Sequence, residues 1–243
     1  MDIFDVVIVG SGPAGLGAAF SLIDARPGLS ILILDRENYS TGGLRNDCKM
    51  NFTYPIGFPL ENWEREEAEH YLELVKSELK PNILPKKNLL KYQKRAERLG
   101  VELLNVQQTH LGTDGGLELI KKLTARLQEK GVKFALKEEM HSLSSSEHVI
   151  HTDKRTIGYK SLIIAPGRKG FRFLQKMMDS LDVSYVDHIV DIGIRVETRV
   201  ERYPIVTDYY DPKFMFPGKV RTFCTNSGNA YVVQEKYKTQ HDE

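Results

Sequence analysis

The fold is decided near the start of the chain by the stretch DVVIVGSGPAGLGAAFSLIDA, residues 5–25. Its first part, Val6 to Val9, is a short run of mostly β-branched apolar residues, which predicts a buried parallel strand. A helical apolar face follows from Ala14 to Ile23, and Arg26-Pro27-Gly28 ends it. A second apolar run covers Ile31 to Leu34. The stretch and its continuation therefore predict a strand–helix–strand unit.

The turn between the first strand and the helix reads Gly10-Ser11-Gly12-Pro13-Ala14-Gly15, a GxGxxG pattern. Gly10 permits the tight turn, Gly12 lets a pyrophosphate approach the backbone, and Gly15 lets the helix pack close to the sheet. The free N–H groups of the helix N-terminus stabilise phosphate charge. A glycine-rich turn without function is the alternative, but here the turn directly joins a strand to a helix, as a dinucleotide site requires.

An acidic residue completes the pattern. Asp35 ends the second strand, twenty residues after Gly15, where it can accept hydrogen bonds from ribose hydroxyls. Its charge would repel a 2′-phosphate, so NADP is disfavoured at this site. We therefore predict a dinucleotide site, with these cofactor-binding residues: Gly10, Gly12, Pro13, Ala14, Gly15, Asp35 and the adjacent Arg36.

The rest of the chain predicts further helices and strands. Helices are predicted over 66–80, 86–98, 117–130 and 171–181, and strands over 101–106, 132–136, 140–143, 148–152, 156–159 and 161–165. Apolar and polar residues then alternate from Val190 to Val196, which is typical of a half-buried antiparallel strand. Further short strands are predicted at 203–207, 220–224 and 231–233.

These patterns predict an α/β protein. A Rossmann-like parallel sheet with a β-meander occupies residues 1–175, with a helical insertion at about 61–100, and part of a second, β-rich α+β substrate domain occupies 176–243. The basic helix predicted at 86–98 could be a phosphate or partner surface, but a solvated helix face is the favoured interpretation.

Composition and charge bear on whether the protein binds nucleic acid, membranes or metals. The formal net charge is +1, which gives no argument for a nucleic acid or an anionic membrane as partner. No apolar run is long enough for a membrane span, and the acidic N-terminus does not resemble a signal peptide. Cys48 and Cys224 form neither a CxxC pair nor a metal-ligand cluster. We expect a cytoplasmic protein with no metal, nucleic-acid or membrane partner.

The dinucleotide motif alone does not separate FAD from NAD, but the chain resembles the glutathione-reductase-type flavoproteins. Their FAD domain has an alanine four residues after the last motif glycine, here Ala19 after Gly15. It also has a three-stranded meander and a buried strand that ends in an Ala-Thr-Gly-like motif. Residues 132–167 match this layout and end in Ala165-Pro166-Gly167, with proline in place of the usual threonine. The resemblance implies FAD as the cofactor, with Met140 near the adenine and Ala165 and Gly167 as further binding residues.

Three segments also resemble a group of uncharacterised FAD-dependent dehydrogenases: residues 41–51, 109–115 and 191–197. This resemblance runs over essentially the whole chain. It implies an FAD-dependent oxidoreductase for an unspecified small-molecule substrate, with NAD(P)H as a candidate electron partner. The alternatives are a non-catalytic dinucleotide-binding module and an NAD-linked dehydrogenase.

Members of the class return to the FAD domain after the substrate domain, and the sequence shows no such returning segment. We therefore expect either that the chain is an N-terminal portion or that a partner chain supplies the C-terminal half.

The resemblance places Gly42 and Gly43 against the flavin side of the cofactor. A cation near the flavin N1 and O2 edge would stabilise the reduced anion, and Lys49 or Arg45 could supply it. A polar loop with solvated charges is an equal alternative. Cys48 could face the flavin, but a buried structural cysteine is the better interpretation.

His110 is a candidate acid or base because the pKa of a free histidine lies near neutrality. Alternatively, Thr113 or Asp114 caps the next helix and His110 fills a turn. His188 is a weaker candidate for the same chemistry. Arg195 could bind a substrate carboxylate, but an ion pair with an acidic neighbour is favoured.

Overall fold

The computed structural model of the chain describes residues 1–39, 49–56, 58, 62–187 and 192–227. The chain divides into two compact units. Unit 1 contains Met1–Lys49 and His110–Asp191, and unit 2 contains Met50–Thr109 and Ile192–Glu243.

The described residues form short strands and helices of ordinary length. The strands are β1 (Asp2–Val9), β2 (Ile31–Asp35), β3 (Lys49–Asn51), β4 (Glu102–Leu103), β5 (Gln108–His110), β6 (Lys133–Leu136), β7 (Met140–Ser144), β8 (Val149–Thr152), β9 (Thr156–Ile164) and β10 (Phe214–Met215). The α-helices are α1 (Pro13–Ala25), α2 (Arg65–Leu79), α3 (Leu89–Glu97), α4 (Gly112–Glu129), α5 (Phe171–Ser180) and α6 (Ile205–Asp208). Single 3₁₀ turns cover Arg168–Gly170, Val200–Arg202 and Pro217–Lys219.

Unit 1 is built on one six-stranded sheet with the order β6-β2-β1-β9-β8-β7. Strand β1 pairs in parallel with both β2 and β9, and β2 pairs in parallel with β6. The strands β7, β8 and β9 pair antiparallel as a meander. The predicted α/β class, with a Rossmann-like sheet and a meander, is confirmed.

The continuous apolar run of β1 is explained by burial on both faces of the sheet. Successive side chains of a strand point to opposite faces, so Val7 and Val9 join one core cluster while Val6 and Ile8 join the other. Helices α1 and α4 contribute residues to the cluster around Val6 and Ile8, and helix α5 contributes Met177 to the opposite cluster. The sheet therefore has a covered core on each side.

The meander differs from the prediction in one respect. The strands predicted at 156–159 and 161–165 are a single strand, β9, which pairs with β8 at its start and with β1 along most of its length. Only Lys160 separated the two predicted strands, and no turn-forming residue interrupts them there, so the strand continues. Ala165 lies just beyond its end.

Unit 2 has its own core. Helix α3, strand β4 and helix α6 surround a buried cluster of Ala96, Leu103, Val106, Ile205 and Tyr209. Strand β4 pairs antiparallel with β10. Strands β3 and β5 form a further two-stranded pair.

The two compact units are divided differently from the predicted domains, and the predicted domain boundaries stay a prediction. Residues 50–109, predicted in part as an insertion into the first domain, cluster with residues 192–243 instead. Their shared core explains this division, because Ala96 and Leu103 pack with Ile205 and Tyr209. Helix α5, which was predicted over 171–181, contributes the buried Met177 to the core of unit 1.

Several strands predicted after residue 190 were wrong. Residues 192–199 have no regular secondary structure, and Ile192, Ile194 and Val196 are 96%, 91% and 76% exposed. An alternating strand needs a partner strand and a core to bury its apolar face, and the described residues supply neither for this stretch.

The stretch predicted as a strand at 203–207 overlaps helix α6 instead, because Ile205 and Tyr209, four residues apart, both enter the core. In the predicted strand at 220–224, only Arg221 forms an isolated bridge, with Met215. The predicted strand at 101–106 shortens to β4, and the one predicted at 231–233 lies outside the described residues.

Within the described residues, no helix combines the length and the apolar character needed to cross a bilayer.

Candidate functional site

The glycine turn after β1 is closely packed against the backbone. Gly10 has a φ of +110°, and a Cβ atom there would lie 2.1 Å from the carbonyl oxygen of Ala165. A Cβ atom on Gly15 would lie 1.9 Å from the carbonyl oxygen of Gly10. Both positions therefore require glycine, and the two contacts draw the start of α1 against the ends of β1 and β9.

The N-terminus of α1 is open to a ligand. Gly12 is its extended N-cap and offers no side-chain cap hydrogen bond, while Pro13 opens the helix. The backbone N–H groups of a first helical turn have no partner within the helix, and the helix dipole favours an anion there. Pro13 and Ala14 are exposed. This turn can hold a phosphate group.

Asp35 ends β2 beside this turn. Its Oδ2 accepts hydrogen bonds from the Ser11 N–H at 2.7 Å and from the Ser11 hydroxyl at 2.6 Å. Its Oδ1 accepts one from the Glu37 N–H at 2.9 Å. Because a carboxylate oxygen can accept two hydrogen bonds, Oδ1 retains capacity for a hydroxyl donor such as a ribose.

Two further contacts join the end of β2 to the start of β7. The Glu138 N–H donates to the Asp35 carbonyl at 3.1 Å, and the exposed Arg36 forms an ion pair with Glu139 at 3.5 Å. Met140 is only 3% exposed and belongs to the sheet core. Its backbone thus starts the meander beside Asp35, which is compatible with the predicted adenine contact.

The segment after β9 forms the other side of the turn. The Ala165 N–H donates to the Val9 carbonyl at 2.7 Å, which continues the parallel pairing past the strand end. Gly167 is exposed and has a φ of +65°, and it precedes the 3₁₀ turn Arg168–Gly170. The predicted residues Ala165 and Gly167 therefore lie at the same edge of the sheet as the glycine turn.

The flavin-side candidates Gly42 and Gly43 lie outside the described residues, as do Arg45, Cys48 and His188. Lys49 is half-buried at the start of β3, and His110 is exposed at the end of β5. Strands β3 and β5 pair with each other. Helix α4 begins after His110 with Leu111 as its N-cap and no side-chain cap hydrogen bond, so the capping alternative was wrong. The catalytic roles of Lys49 and His110 stay predictions.

The remaining sequence candidates behave as ordinary surface groups. Arg195 forms an ion pair with Glu197 at 2.8 Å, as the sequence indicated. In the basic segment, Lys91, Lys94 and Arg95 are exposed on α3, in agreement with the favoured interpretation. Among the described residues there is also no cluster of three or more histidine, cysteine or acidic groups arranged to bind a metal.

Sequence reasoning missed two features of the site. Ser11 was counted only as a spacer in the glycine motif, although its hydroxyl holds Asp35. Glu138 is 5% exposed, and its carboxylate accepts hydrogen bonds from the Arg155 guanidinium at 3.0 Å and the Thr152 hydroxyl at 2.9 Å. The serine could have been found from its place between two motif glycines. Nothing in the sequence pattern signals the Glu138–Arg155 pair.

Comparison with known proteins finds similarity to several proteins, of which three are described here in turn. No protein-family model matches the chain. A thiamine thiazole synthase from Aeropyrum pernix is 35% identical over 105 residues, which is 42% of this chain and 36% of that protein. A glycine oxidase from Geobacillus kaustophilus has 16% identity and a TM-score of 0.49. The match covers 76% of this chain and 60% of the oxidase. An L-amino acid deaminase from Proteus vulgaris has 15% identity and a TM-score of 0.47. The match covers 75% of this chain and 51% of the deaminase. The matched region thus spans about a third to three fifths of these proteins' lengths.

Proposed function

We propose that this chain binds FAD and contributes the dinucleotide-binding part of an FAD-dependent oxidoreductase. The observation that carries the proposal is the close packing of the glycine turn, Gly10 to Gly15, beside the open end of α1. A side chain at Gly10 or Gly15 would collide with backbone, and the exposed first turn of α1 is open to a pyrophosphate.

The residues around the glycine turn fit the adenosine half of the cofactor. Asp35 retains acceptor capacity for a ribose hydroxyl and would repel a 2′-phosphate, which favours FAD or NAD over NADP. The open end of α1 would hold the pyrophosphate, and the backbone at Met140 would contact the adenine. The resemblance to glutathione-reductase-type flavoproteins favours FAD over NAD.

FAD supplies the hydride chemistry when bound. In this proposal Lys49 stabilises negative charge near the flavin, and His110 exchanges a proton with the substrate. NAD(P)H is the candidate electron partner, and a C-terminal half on this or another chain completes the cofactor site. The substrate is a small molecule of unassigned class.

The test is the visible absorption spectrum of the purified chain after FAD is added and unbound FAD is removed on a desalting column. Retained flavin bands are the expected result. An Ala14→Asp variant places a carboxylate where the pyrophosphate would lie, so we expect FAD retention to fall at least about tenfold by charge repulsion. Because an acidic residue in a first helical turn stabilises the helix, the fold should be unharmed.

Ser21→Asp is the matched control. Ser21 is exposed on the same helix, roughly 10 Å further along the axis at 1.5 Å per residue, so the same charge should leave FAD retention unchanged. Equal retention in the Ala14→Asp variant and the parent chain would overturn the site. A parent chain that binds ADP-ribose or NAD but no FAD would instead support the module or the NAD-linked alternative.

A further inference from the structure

The bend that leads into the meander is held beside the end of β2 by hydrogen bonds. It consists of residues 137–139, between β6 and β7. The Lys137 N–H donates to the Glu37 carbonyl at 3.3 Å. The Glu138 N–H donates to the Asp35 carbonyl at 3.1 Å. The bend therefore lies directly beside the acidic residue that we assign to the ribose.

The Glu138 side chain fixes the same bend from the side of the meander. Glu138 is buried, and its Oε1 accepts hydrogen bonds from Arg155 Nε at 3.0 Å and from the Thr152 hydroxyl at 2.9 Å. Its Oε2 accepts one from Arg155 Nη2 at 3.3 Å, so the ion pair is bidentate. The Nη1 of Arg155 donates to Asp2 at 3.0 Å, at the start of β1. The carboxylate thus links the bend to β8 and, through Arg155, to β1.

One residue of the bend has a backbone conformation that needs such support. Lys137 has a φ of +54°, in the left-handed region that residues other than glycine seldom adopt. A conformation of this kind persists where the surrounding contacts determine it. A buried ion pair adds little net stability compared with apolar residues of the same size, whereas it can specify a single conformation. The contacts of Glu138 are therefore better explained by the position that they give the bend than by the stability that they add.

We propose that Glu138, together with Arg155, is a positioning residue of the dinucleotide site. The pair holds the bend so that the Met140 backbone, two residues after Glu138, contacts the adenine while Asp35 binds the ribose. Neither side chain of the pair touches the nucleotide. The inference rests on the proposed dinucleotide site and adds the contact that makes this site select adenine.

The experiment compares the binding of ADP and IDP to the full chain by isothermal titration calorimetry. The two nucleotides differ in the base, because hypoxanthine has an oxygen acceptor where adenine has its N6 amino donor. A backbone contact that matches adenine leaves polar groups unpaired with hypoxanthine, so we expect the parent to bind ADP roughly tenfold more tightly than IDP. A loss of folded protein would weaken the binding of both nucleotides alike and leave this ratio unchanged.

Two variants change the ion pair from opposite sides. Glu138→Gln removes the charge and keeps the shape, and the side chain of Arg155 is 38% exposed and retains Asp2 as a partner, so the chain should still fold. Arg155→Lys keeps the charge but cannot form the bidentate contact. We expect each variant to narrow the preference for ADP over IDP to roughly threefold or less, because the bend loses its fixed position.

Asp5→Asn is the matched control. Asp5 also binds a serine hydroxyl and pairs with a cation, Lys160 at 2.7 Å, on the same sheet. It lies four residues before the end of β1, roughly 13 Å from the glycine turn at about 3.3 Å per residue, so this variant should keep the parent's ratio even if its Tm falls.

The possible outcomes separate the positioning role from the site itself. An unchanged ratio in Glu138→Gln and Arg155→Lys, or an equal narrowing in Asp5→Asn, would overturn the positioning role and leave the dinucleotide site intact. Equal affinities of the parent for ADP and IDP would overturn the adenine contact and with it the inference. A parent chain that binds neither nucleotide would overturn the dinucleotide site as well.

Discussion

Ser11 and Asp35 are joined by two hydrogen bonds to one carboxylate oxygen, from the Ser11 N–H at 2.7 Å and from its hydroxyl at 2.6 Å. Ser11 is only 3% exposed, so this contact is shielded from water. It fixes the end of β2 to the glycine turn and orients the remaining oxygen of Asp35. The acidic residue of the dinucleotide motif is thus positioned by a residue inside the motif itself.

We expect Ser11→Ala to weaken binding of FAD or ADP-ribose roughly threefold to tenfold, because a hydrogen bond to a charged group contributes about 1.5–3 kcal/mol and part of that orders Asp35. Isothermal titration calorimetry measures the change. Ser30→Ala is the matched control, since the Ser30 hydroxyl donates to Asp5 at 2.7 Å, away from the glycine turn. If both variants bind the nucleotide as the parent does, Ser11 has no role in the site.

Gly15 and Gly17 test the packing of the glycine turn on a single helix. Gly15→Ala should lower the free energy of unfolding by more than ~2 kcal/mol, because its Cβ would lie 1.9 Å from the Gly10 carbonyl oxygen. Gly17→Ala meets no atom within 4 Å and should stabilise the helix by about 0.5–1 kcal/mol. Urea unfolding measures both. Similar values for the two variants would contradict the packing described here.

A charged cluster beside the start of β2 gives a pH test. The Lys160 ammonium, 2.7 Å from Asp5, and the Ser30 hydroxyl hold the pKa of the Asp5 carboxyl well below its usual range. A lowered pKa in the fold means that this contribution to stability is present above pH ~4 and is lost as the pH falls further. The difference in Tm between the parent and Asp5→Asn should therefore shrink below pH ~4. A difference that stays constant from neutral to acidic pH would contradict this assignment.

The sequence predicted the nucleotide-binding edge well because its parts are close together in the chain. Strand β1, the glycine turn, α1 and β2 follow one another within residues 2–35, and each has a local pattern. The meander is local in the same way. The error there concerned only where one strand ends, since Lys160 gives no turn signal.

The core of unit 2 was not predictable by such patterns. Tyr209 donates to the Leu104 carbonyl, 105 residues away, and Ile205 packs in the same cluster. Alternating residues after 190 favoured strands, but alternation describes only which side chains share a face. It does not say whether a partner strand exists, and Ile192 and Ile194 have none among the described residues. Contacts between such distant segments depend on tertiary packing, which local propensity does not encode.

Tyr209 gives the last test, because it is fully buried and its hydroxyl serves two backbone groups. It donates to the Leu104 carbonyl and accepts a hydrogen bond from the Val106 N–H at 3.2 Å. Burial raises the pKa of Tyr209 to about 12, with the nearby Asp211 carboxylate acting in the same direction and the Val106 N–H against it. Tyr209→Phe leaves both backbone groups without this partner, so we expect a loss of about 1–3 kcal/mol at neutral pH.

The same variant should change the response to alkali. Because the pKa of Tyr209 is higher in the fold than in the unfolded chain, its contribution is complete below pH ~10 and is lost as the pH rises to about 12. The stability difference between the parent and Tyr209→Phe should therefore narrow over that range in urea unfolding experiments. Tyr71→Phe is the control. Tyr71 is 46% exposed, and among the described residues its hydroxyl forms no hydrogen bond with a backbone group. If the Tyr209→Phe difference stays constant up to pH ~12, then burial does not hold Tyr209 in its neutral form.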